Sequence, residues 1–229
     1  MNLLAFDTST EHLSLALIKG DASYVFQVNA GQTHSQVILP QIDSLLKQAN
    51  LQLGDLHGLA FGAGPGSFTG VRIAAGVAQG LGLGANLPVL GVCTLLALAQ
   101  ASGANKVIAC LDARMGEVYH AAYEKVGAHW QTLVEPSVCK PEAVPVLLGT
   151  GWTGVGSGWH AYPEALATVY SGQLLATQPD CLPEAMAILA LTQADFAAGQ
   201  ALPAGVAMPI YVRNRVALKT AERELGASL

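Results

Sequence analysis

Residues 62–82 have the sequence GAGPGSFTGVRIAAGVAQGLG, a glycine-rich loop that runs into a helix. A buried strand is predicted before the loop, over Leu56–Phe61, and the helix is predicted over Thr69–Leu83. Glycines let backbone N–H groups approach an anion, and a helix N-terminus favours negative charge. The loop lacks the lysine of a Walker A motif, and Ser67 replaces the third glycine of GxGxxG. Phosphate binding and a purely structural strand-to-helix turn therefore both stay open.

The predicted helix carries Gly76, Gly80 and Gly84 at intervals of four residues, on one side. Each exposed glycine destabilises a helix by about 1 kcal/mol relative to alanine, so three in register need a reason. Small residues allow another backbone to approach closely. The neighbour is either the chain's own sheet or a helix of another subunit.

One pattern occurs twice along the chain. An apolar strand ends in Asp7 and another ends in Asp112, and each aspartate is followed by a glutamate and a second apolar strand. A glycine-rich loop follows later in each half, at residues 62–66 and 154–158. This repeat predicts an α/β protein of two duplicated lobes, residues 1–105 and 106–229. The other predicted strands are Leu3–Phe6, Leu13–Ile18, Tyr24–Val28, Pro88–Val92, Val107–Leu111 and Glu117–Tyr123, and the other predicted helices are Thr33–Ala49, Thr94–Ala101 and Glu184–Ala198.

Few residues suit metal or redox chemistry. Asp7 and Asp112 either hold Mg²⁺ or a water at their strand ends, or cap the turns that follow. The six histidines include no pair three or four residues apart, which excludes a helical metal pair. The four cysteines form no CxxC motif, so reduced buried thiols are expected rather than disulfides.

The charge balance limits the partners that the chain can bind alone. The net charge is −5, from 11 basic and 16 acidic side chains, whereas autonomous nucleic-acid binding needs a basic stripe. The basic residues cluster only at residues 213–223, which form either a solvated tail or an RNA contact. Charged residues make up only 12% of the chain, which suggests that a partner covers some of the surface. The basic residues of the cluster are Arg213, Arg215, Lys219 and Arg223, interrupted by Glu222 and Glu224.

The sequence predicts a cytoplasmic protein that does not enter a membrane. No run approaches the ~18 apolar residues of a membrane span. The N-terminus leads directly into a strand, without the basic region and cleavage site of a signal peptide.

Several motifs together resemble the TsaB (YeaZ) family. They are FDTST at residues 6–10, GPGSFTGVRI at residues 64–73 and DARMGEVY at residues 112–119, together with GSGW at residues 156–159 and YVRN at residues 211–214. The resemblance implies the actin/hexokinase-like ATPase fold, with two ribonuclease-H-like lobes. It also implies a place in the bacterial machinery that makes N6-threonylcarbamoyladenosine at position 37 of tRNA. In that machinery the paralogous TsaD transfers the threonylcarbamoyl group from threonylcarbamoyl-AMP to tRNA, and the ATPase TsaE joins the complex.

The resemblance implies a subunit without its own catalytic or metal site. TsaD-like chains carry an HxxxH metal pair, and the two matching positions here are Thr94 and Leu98. A leucine cannot bind a metal, and a lone threonine hydroxyl is a poor ligand. An autonomous ATPase or small-molecule kinase of the same fold is the alternative, motivated by the two aspartates and the two glycine loops. A metalloprotease, after the old glycoprotease label of the TsaD family, is the weakest hypothesis.

The resemblance also implies an interface, because family members dimerise through the first two helices of the N-terminal lobe. The expected partners are TsaD, as a heterodimer, and TsaE, with tRNA bound through the complex and a homodimer formed by the chain alone. No intrinsic cofactor is expected, although ATP or ADP can bind at a composite site in the complex. Thr33 and Gln36 fit a capping box at the start of the first helix, next to His34, a candidate cap or interface residue. The expected interface residues are Thr33, His34, Ile38, Thr69, Arg72, Ile73, Gly76 and Gly80, and the candidate vestigial nucleotide site consists of Asp7, Thr8, Ser9, Gly64, Gly66 and Asp112.

Overall fold

A computed structural model describes residues 1–212 of the chain, so the basic cluster from Arg213 onward lies outside the described residues. The first of two five-stranded sheets has the strand order β3-β2-β1-β4-β5. Strands β1 to β3 form an antiparallel meander, and β4 and β5 add to it in parallel. The strands are β1 Asn2–Asp7, β2 His12–Lys19, β3 Ala22–Asn29, β4 Gly58–Gly64 and β5 Val89–Cys93.

The second sheet repeats this topology. Its order is β8-β7-β6-β9-β10, in which β6 to β8 form the antiparallel meander and β9 and β10 add in parallel. The duplication predicted from the two aspartates and two glycine loops is therefore confirmed. The fold is α/β, and each lobe has a mixed five-stranded sheet with the strand order and directions of a ribonuclease-H-like domain. The strands are β6 Lys106–Arg114, β7 Glu117–Val126, β8 His129–Cys139, β9 Trp152–Val155 and β10 Leu174–Gln178.

The helices form layers on both sides of the sheets. Helices α1 and α2 cover one face of the first sheet, and α4 and α5 cover the outer face of the second. Helices α3 and α6 contact each other between the two sheets. The helices are α1 His34–Gln48, α2 Phe68–Ala85, α3 Thr94–Ala101, α4 Ser157–Ala161, α5 Pro163–Val169 and α6 Ala185–Ala197, with 3-10 turns at Leu53–Asp55, Pro141–Ala143 and Ala204–Val206.

The chain returns to the first lobe after it completes the second sheet. Helix α6 packs on β1 and β4, and the amide of Ala185 donates a hydrogen bond to Ser14 Oγ at 2.9 Å. A strap, residues 203–212, then runs along α2. The lobe boundary near residue 105 stays a prediction, since segments from both sides of it build the first lobe.

Two local details complete the comparison with the sequence. The predicted capping box at the first helix is wrong, because Thr33 Oγ1 donates to the carbonyl of Ala30 at 2.7 Å instead of capping α1. The four cysteines are free thiols, but the prediction that they are buried holds only for Cys110, since Cys93, Cys139 and Cys181 are partly exposed. Among the helices of residues 1–212, none combines the length and apolar character needed to cross a membrane.

Candidate functional site

A groove between α1 and α2 lies on the outer surface of the first lobe. It has a volume of about 330 Å³ and is mainly apolar. Helix α1 forms one wall because its apolar residues recur at helical spacing, so one face packs on the sheet and the edge of that face remains at the surface. Leu39, at this edge, is 49% exposed. The groove is lined by Ser35, Ile38 and Leu39 of α1 and by Arg72, Ile73, Gly76, Val77, Gly80 and Leu81 of α2.

The glycine ridge of α2 is not explained by the packing of this chain. A Cβ placed on Gly76, Gly80 or Gly84 meets no atom of the described residues within 4 Å. Gly82 differs, because a Cβ there would collide with Ala204 of the strap. The chain's own sheet is therefore not the neighbour that requires the ridge. Because they lack side chains, Gly76 and Gly80 instead leave space in the wall of the groove that a group of another molecule can fill.

Arg72 stands at the end of the groove nearest the start of α2. Its Nη1 donates to the carbonyl of Phe68 at 2.6 Å, and its guanidinium lies 3.4 Å from the centroid of the Phe68 ring. The centroid of the Tyr211 ring, in the strap, lies 4.9 Å from the same guanidinium. Contacts with two aromatic rings hold the guanidinium, which places a positive charge at the rim of an apolar surface.

The structure brings together five of the eight residues predicted for the interface. These five line the groove, whereas Thr69 is exposed in the first turn of α2 and Thr33 takes part in the turn before α1. His34 is only 4% exposed, and its Nε2 has no hydrogen-bond partner among the described residues. The sequence analysis missed four lining residues, each of which directly follows a predicted residue along the chain: Ser35, Leu39, Val77 and Leu81. The five residues are Ile38, Arg72, Ile73, Gly76 and Gly80.

The strand-end residues of the candidate nucleotide site form a closed turn. Asp7 is 1% exposed, and its Oδ1 accepts hydrogen bonds from the amide and hydroxyl of Ser9, at 2.9 and 2.7 Å. Thr8 donates through Oγ1 to the carbonyl of Gly70 at 2.7 Å. Asp7 Oδ2 lies against Gly62 and has no hydrogen-bond partner in the described part of the chain. Asp7 thus caps its own turn, and its carboxylate does not reach the surface.

The glycines of the loop before α2 allow this turn to pack closely. A Cβ on Gly66 would collide with the carbonyl oxygen of Ser9, and a Cβ on Gly70 would collide with that of Thr8. The amide of Ser67 also donates to the carbonyl of Ser9, at 2.7 Å. Backbone of the β1–β2 turn therefore occupies the space that an anion needs beside these glycines. Close packing accounts for the glycine pattern without a bound phosphate.

Asp112 has the equivalent position in the second sheet. Its Oδ1 accepts a hydrogen bond from the amide of Arg114 at 2.8 Å, two residues on, as Asp7 does from Ser9. The guanidinium of Arg114 contacts Asp112 Oδ2 at 3.1 Å and Glu11 of the first lobe at 3.4 Å. Both aspartates cap turns, and Arg114 joins the two turns across the lobes.

The two positions that match the TsaD histidine pair take part in packing. Thr94 Oγ1 accepts a hydrogen bond from the amide of Gly64 at 3.1 Å, and Leu98 is buried in the core beside the second sheet. In the part of the chain that the structure describes, no three His, Cys, Asp or Glu side chains are grouped so that they can hold a metal ion.

Replacing Asp7 by asparagine is expected to change how stability depends on pH. Burial raises the pKa of Asp7 from 3.8 to about 6, although the Ser9 hydrogen bonds act to lower it. Because the pKa of Asp7 is higher in the folded than in the unfolded protein, protonation of this carboxyl stabilises the fold. This contribution is complete below about pH 3.8 and is lost as the pH rises through 6. Between pH 8 and pH 5, we expect the parent to gain roughly 1–2 kcal/mol of unfolding free energy relative to Asp7→Asn.

Urea unfolding of both proteins at each pH measures this difference. His120 is also buried, with its pKa lowered to about 4, but both proteins contain it, so its effect cancels in the comparison. Parallel pH profiles for the two proteins would contradict the raised pKa of Asp7.

Comparisons with known proteins agree on one family. A family model described as TsaD, tRNA N6-adenosine threonylcarbamoyltransferase, matches residues 27–208. The TsaB protein of Escherichia coli K12, named a tRNA threonylcarbamoyladenosine biosynthesis protein, is 42% identical, with 96% of this chain and 97% of the relative covered. The Haemophilus influenzae TsaB is 40% identical, with 96% of each covered. The solved structure of YeaZ from Pseudomonas aeruginosa superposes with a TM-score of 0.85 at 38% identity, covering 92% of this chain and 99% of that one.

The duplicated sheets and the family model define the class, a TsaD-like protein with two ribonuclease-H-like lobes. Within that class the chain belongs to the TsaB (YeaZ) family of tRNA threonylcarbamoyladenosine biosynthesis proteins. The resemblance drawn from the sequence motifs is confirmed.

Proposed function

We propose that this chain is a non-catalytic subunit of the enzyme that transfers a threonylcarbamoyl group to adenosine 37 of tRNA. It pairs with a TsaD-family transferase through the α1–α2 groove and activates it. The observation that carries this proposal is the glycine ridge, because Gly76 and Gly80 leave space that no described residue of the chain uses. Close approach of a partner helix would account for those glycines, because the distance between two packed helices depends on the side chains at their contact.

The chemistry of the described residues supports an accessory role. The turn after β1 is closed by backbone contacts, and Asp7 is capped and buried. Thr94 and Leu98 stand where the transferase family has its metal pair, and both are committed to packing. An autonomous ATPase or kinase needs an open phosphate site, and the packing of Ser9 and Thr8 against the loop glycines weighs against one.

The remaining partners follow from the same role. In the complex, TsaE and tRNA bind to the assembled pair, and ATP or ADP binds at a site that both subunits complete. When the transferase is absent, the same face pairs with a second copy of this chain, since paralogues present similar surfaces. The site of action is the cytoplasm, where tRNA is modified.

Reconstitution with purified components tests the proposed function. The reaction contains unmodified tRNA, threonylcarbamoyl-AMP and the TsaD and TsaE of the same organism, with or without this chain, and mass spectrometry of the digested tRNA measures the modified nucleoside. We expect product only when this chain and TsaD are both present. Product from this chain without TsaD would show that it has its own catalytic site. Full activity of TsaD and TsaE without this chain would rule out the activating role.

A further inference from the structure

Arg72 is the one charged residue among the described residues that line the groove. Its guanidinium carries several N–H donors in one plane, and Nη1 donates one of them to the carbonyl of Phe68 at 2.6 Å. The centroid of the Phe68 ring lies 3.4 Å from Cζ, so the ring contacts the face of the guanidinium and not its edges. In residues 1–212, no Asp or Glu side chain forms an ion pair with Arg72. The remaining donors can therefore bind a group of another molecule.

The position of this positive charge is unfavourable in the isolated chain. The guanidinium lies over the first turn of α2, because it bonds to Phe68, the first residue of the helix. The N-terminal end of a helix carries a partial positive charge, and the first turn of α2 contains no acidic residue. No carboxylate of the described chain compensates for the added charge, which indicates a role in recognition.

The strap holds the guanidinium at the end of the groove. The amide of Ile210 donates to the carbonyl of Ala63 at 2.7 Å, which ties the end of the strap to β4. Tyr211 follows directly, and the centroid of its ring lies 4.9 Å from the guanidinium of Arg72. A long side chain held in place before binding loses less conformational entropy when a partner arrives. Tyr211 therefore prepares Arg72 for a contact that the isolated chain does not make.

A partner helix in the groove removes the Arg72 guanidinium from water. A buried charge without a counter-charge is strongly destabilising, so the partner has to supply an acceptor. A carboxylate fits the planar guanidinium, because its two oxygens accept parallel hydrogen bonds. The phosphate backbone of RNA fits less well, since its binding needs several cations and the lining of the groove has one.

We propose that Arg72 binds an Asp or Glu carboxylate on the helix that the transferase inserts into the groove, and that Tyr211 positions the guanidinium for this contact. The inference rests on the function proposed above. It also explains a preference for the transferase over a second copy of this chain. The groove residues of a second copy include no carboxylate, so pairing through the same face leaves both Arg72 side chains without a counter-charge.

Replacing Arg72 by methionine tests the carboxylate contact. Methionine keeps a long side chain that favours a helix, and it suits an apolar groove. Burial of apolar surface alone predicts equal or tighter binding, whereas loss of a carboxylate contact predicts weaker binding. We expect the affinity for the TsaD of the same organism, measured by titration calorimetry without nucleotide, to fall at least about tenfold. Self-association, measured by analytical ultracentrifugation, should not weaken.

The salt dependence of binding identifies the contact as ionic. Raising sodium chloride from about 0.1 M to about 1 M shortens the Debye length from about 10 Å to about 3 Å. We expect the difference in affinity between the parent and Arg72→Met to shrink over this range, because only the parent loses an ion pair. A difference that does not change with salt would contradict an ionic contact.

Two substitutions of Tyr211 test its positioning role. Tyr211→Phe keeps the ring and should bind TsaD like the parent, whereas Tyr211→Leu should bind about threefold more weakly. In the Arg72→Met background, Tyr211→Leu should have no further effect, because Tyr211 acts through Arg72. An equal loss in both backgrounds would show that Tyr211 only stabilises the strap or contacts the partner itself.

The remaining outcomes separate this inference from the proposed function. If Arg72→Met binds TsaD as tightly as the parent while Gly80→Arg does not bind, the carboxylate contact is wrong and the proposed function stands. If Arg72→Met weakens binding only when ATP is present, the guanidinium binds a nucleotide phosphate, which also overturns the inference. A parent chain that does not bind TsaD with or without ATP would contradict both.

Discussion

Replacing Gly80 by arginine is expected to abolish stable pairing with TsaD while the isolated chain remains folded. A Cβ at Gly80 meets no atom of the described chain within 4 Å, and arginine favours a helix more than glycine does. In the complex, the new side chain brings a charge into an apolar groove, and a buried unpaired charge is strongly destabilising. We expect the affinity, measured by titration calorimetry, to fall at least about 100-fold, or about 2.8 kcal/mol at about 1.4 kcal/mol per tenfold.

Gly54→Arg is the matched control for this experiment. Gly54 is exposed in the 3-10 turn at Leu53–Asp55, its Cβ would also meet nothing, and it does not line the groove. This variant should bind TsaD as the parent does. Unchanged affinity of Gly80→Arg would place the partner on another face of the molecule.

Replacing Gly70 by alanine is expected to lower the free energy of unfolding by about 3 kcal/mol, the upper part of the usual range for overpacking. The new methyl group would collide with the carbonyl oxygen of Thr8. That oxygen belongs to the backbone of the capped turn after β1, and the Thr8 hydroxyl already bonds to the carbonyl of residue 70. Because a backbone atom cannot rotate away, α2 must separate from the turn.

Gly84→Ala is the counterpart on the same helix. A methyl group there meets nothing, so helix propensity alone predicts a gain of up to about 1 kcal/mol. Urea unfolding therefore should separate the two alanine variants by about 4 kcal/mol. If both variants gain stability, the close contact between residue 70 and the β1–β2 turn is wrong.

The sequence was sufficient for the duplicated architecture but not for all of its strands. The aspartates and glycine loops recur because both lobes contain a strand-end turn that packs against a glycine-rich connection. Strand β8 was not predicted, because Pro136 indicates a break in a strand. In the structure β8 lies at the edge of its sheet, where proline is tolerated. Strand β9 has only four residues and α4 only five, too few for a periodic signal.

Five of the residues predicted for the interface line one groove, whereas the details around it were not predicted. The sequence alone shows that the second helix contains glycines that destabilise it without an evident reason. Two of these glycines, Gly76 and Gly80, line the groove. The burial of His34 and the use of Thr33 in a turn depend on how the chain enters α1, which local sequence does not determine. For the same reason, the sequence left open whether Asp7 caps a turn or binds a cation.

The return of the chain to the first lobe has a consequence for its synthesis. The inner face of β1 and β4 is covered by α6, which is synthesised only after the whole second sheet. At a synthesis rate of about 5–20 residues per second, the apolar face of the first sheet stays uncovered for on the order of ten seconds. We therefore expect the newly made lobe to expose this apolar face until α6 is made, and a fragment that ends within the second lobe to aggregate.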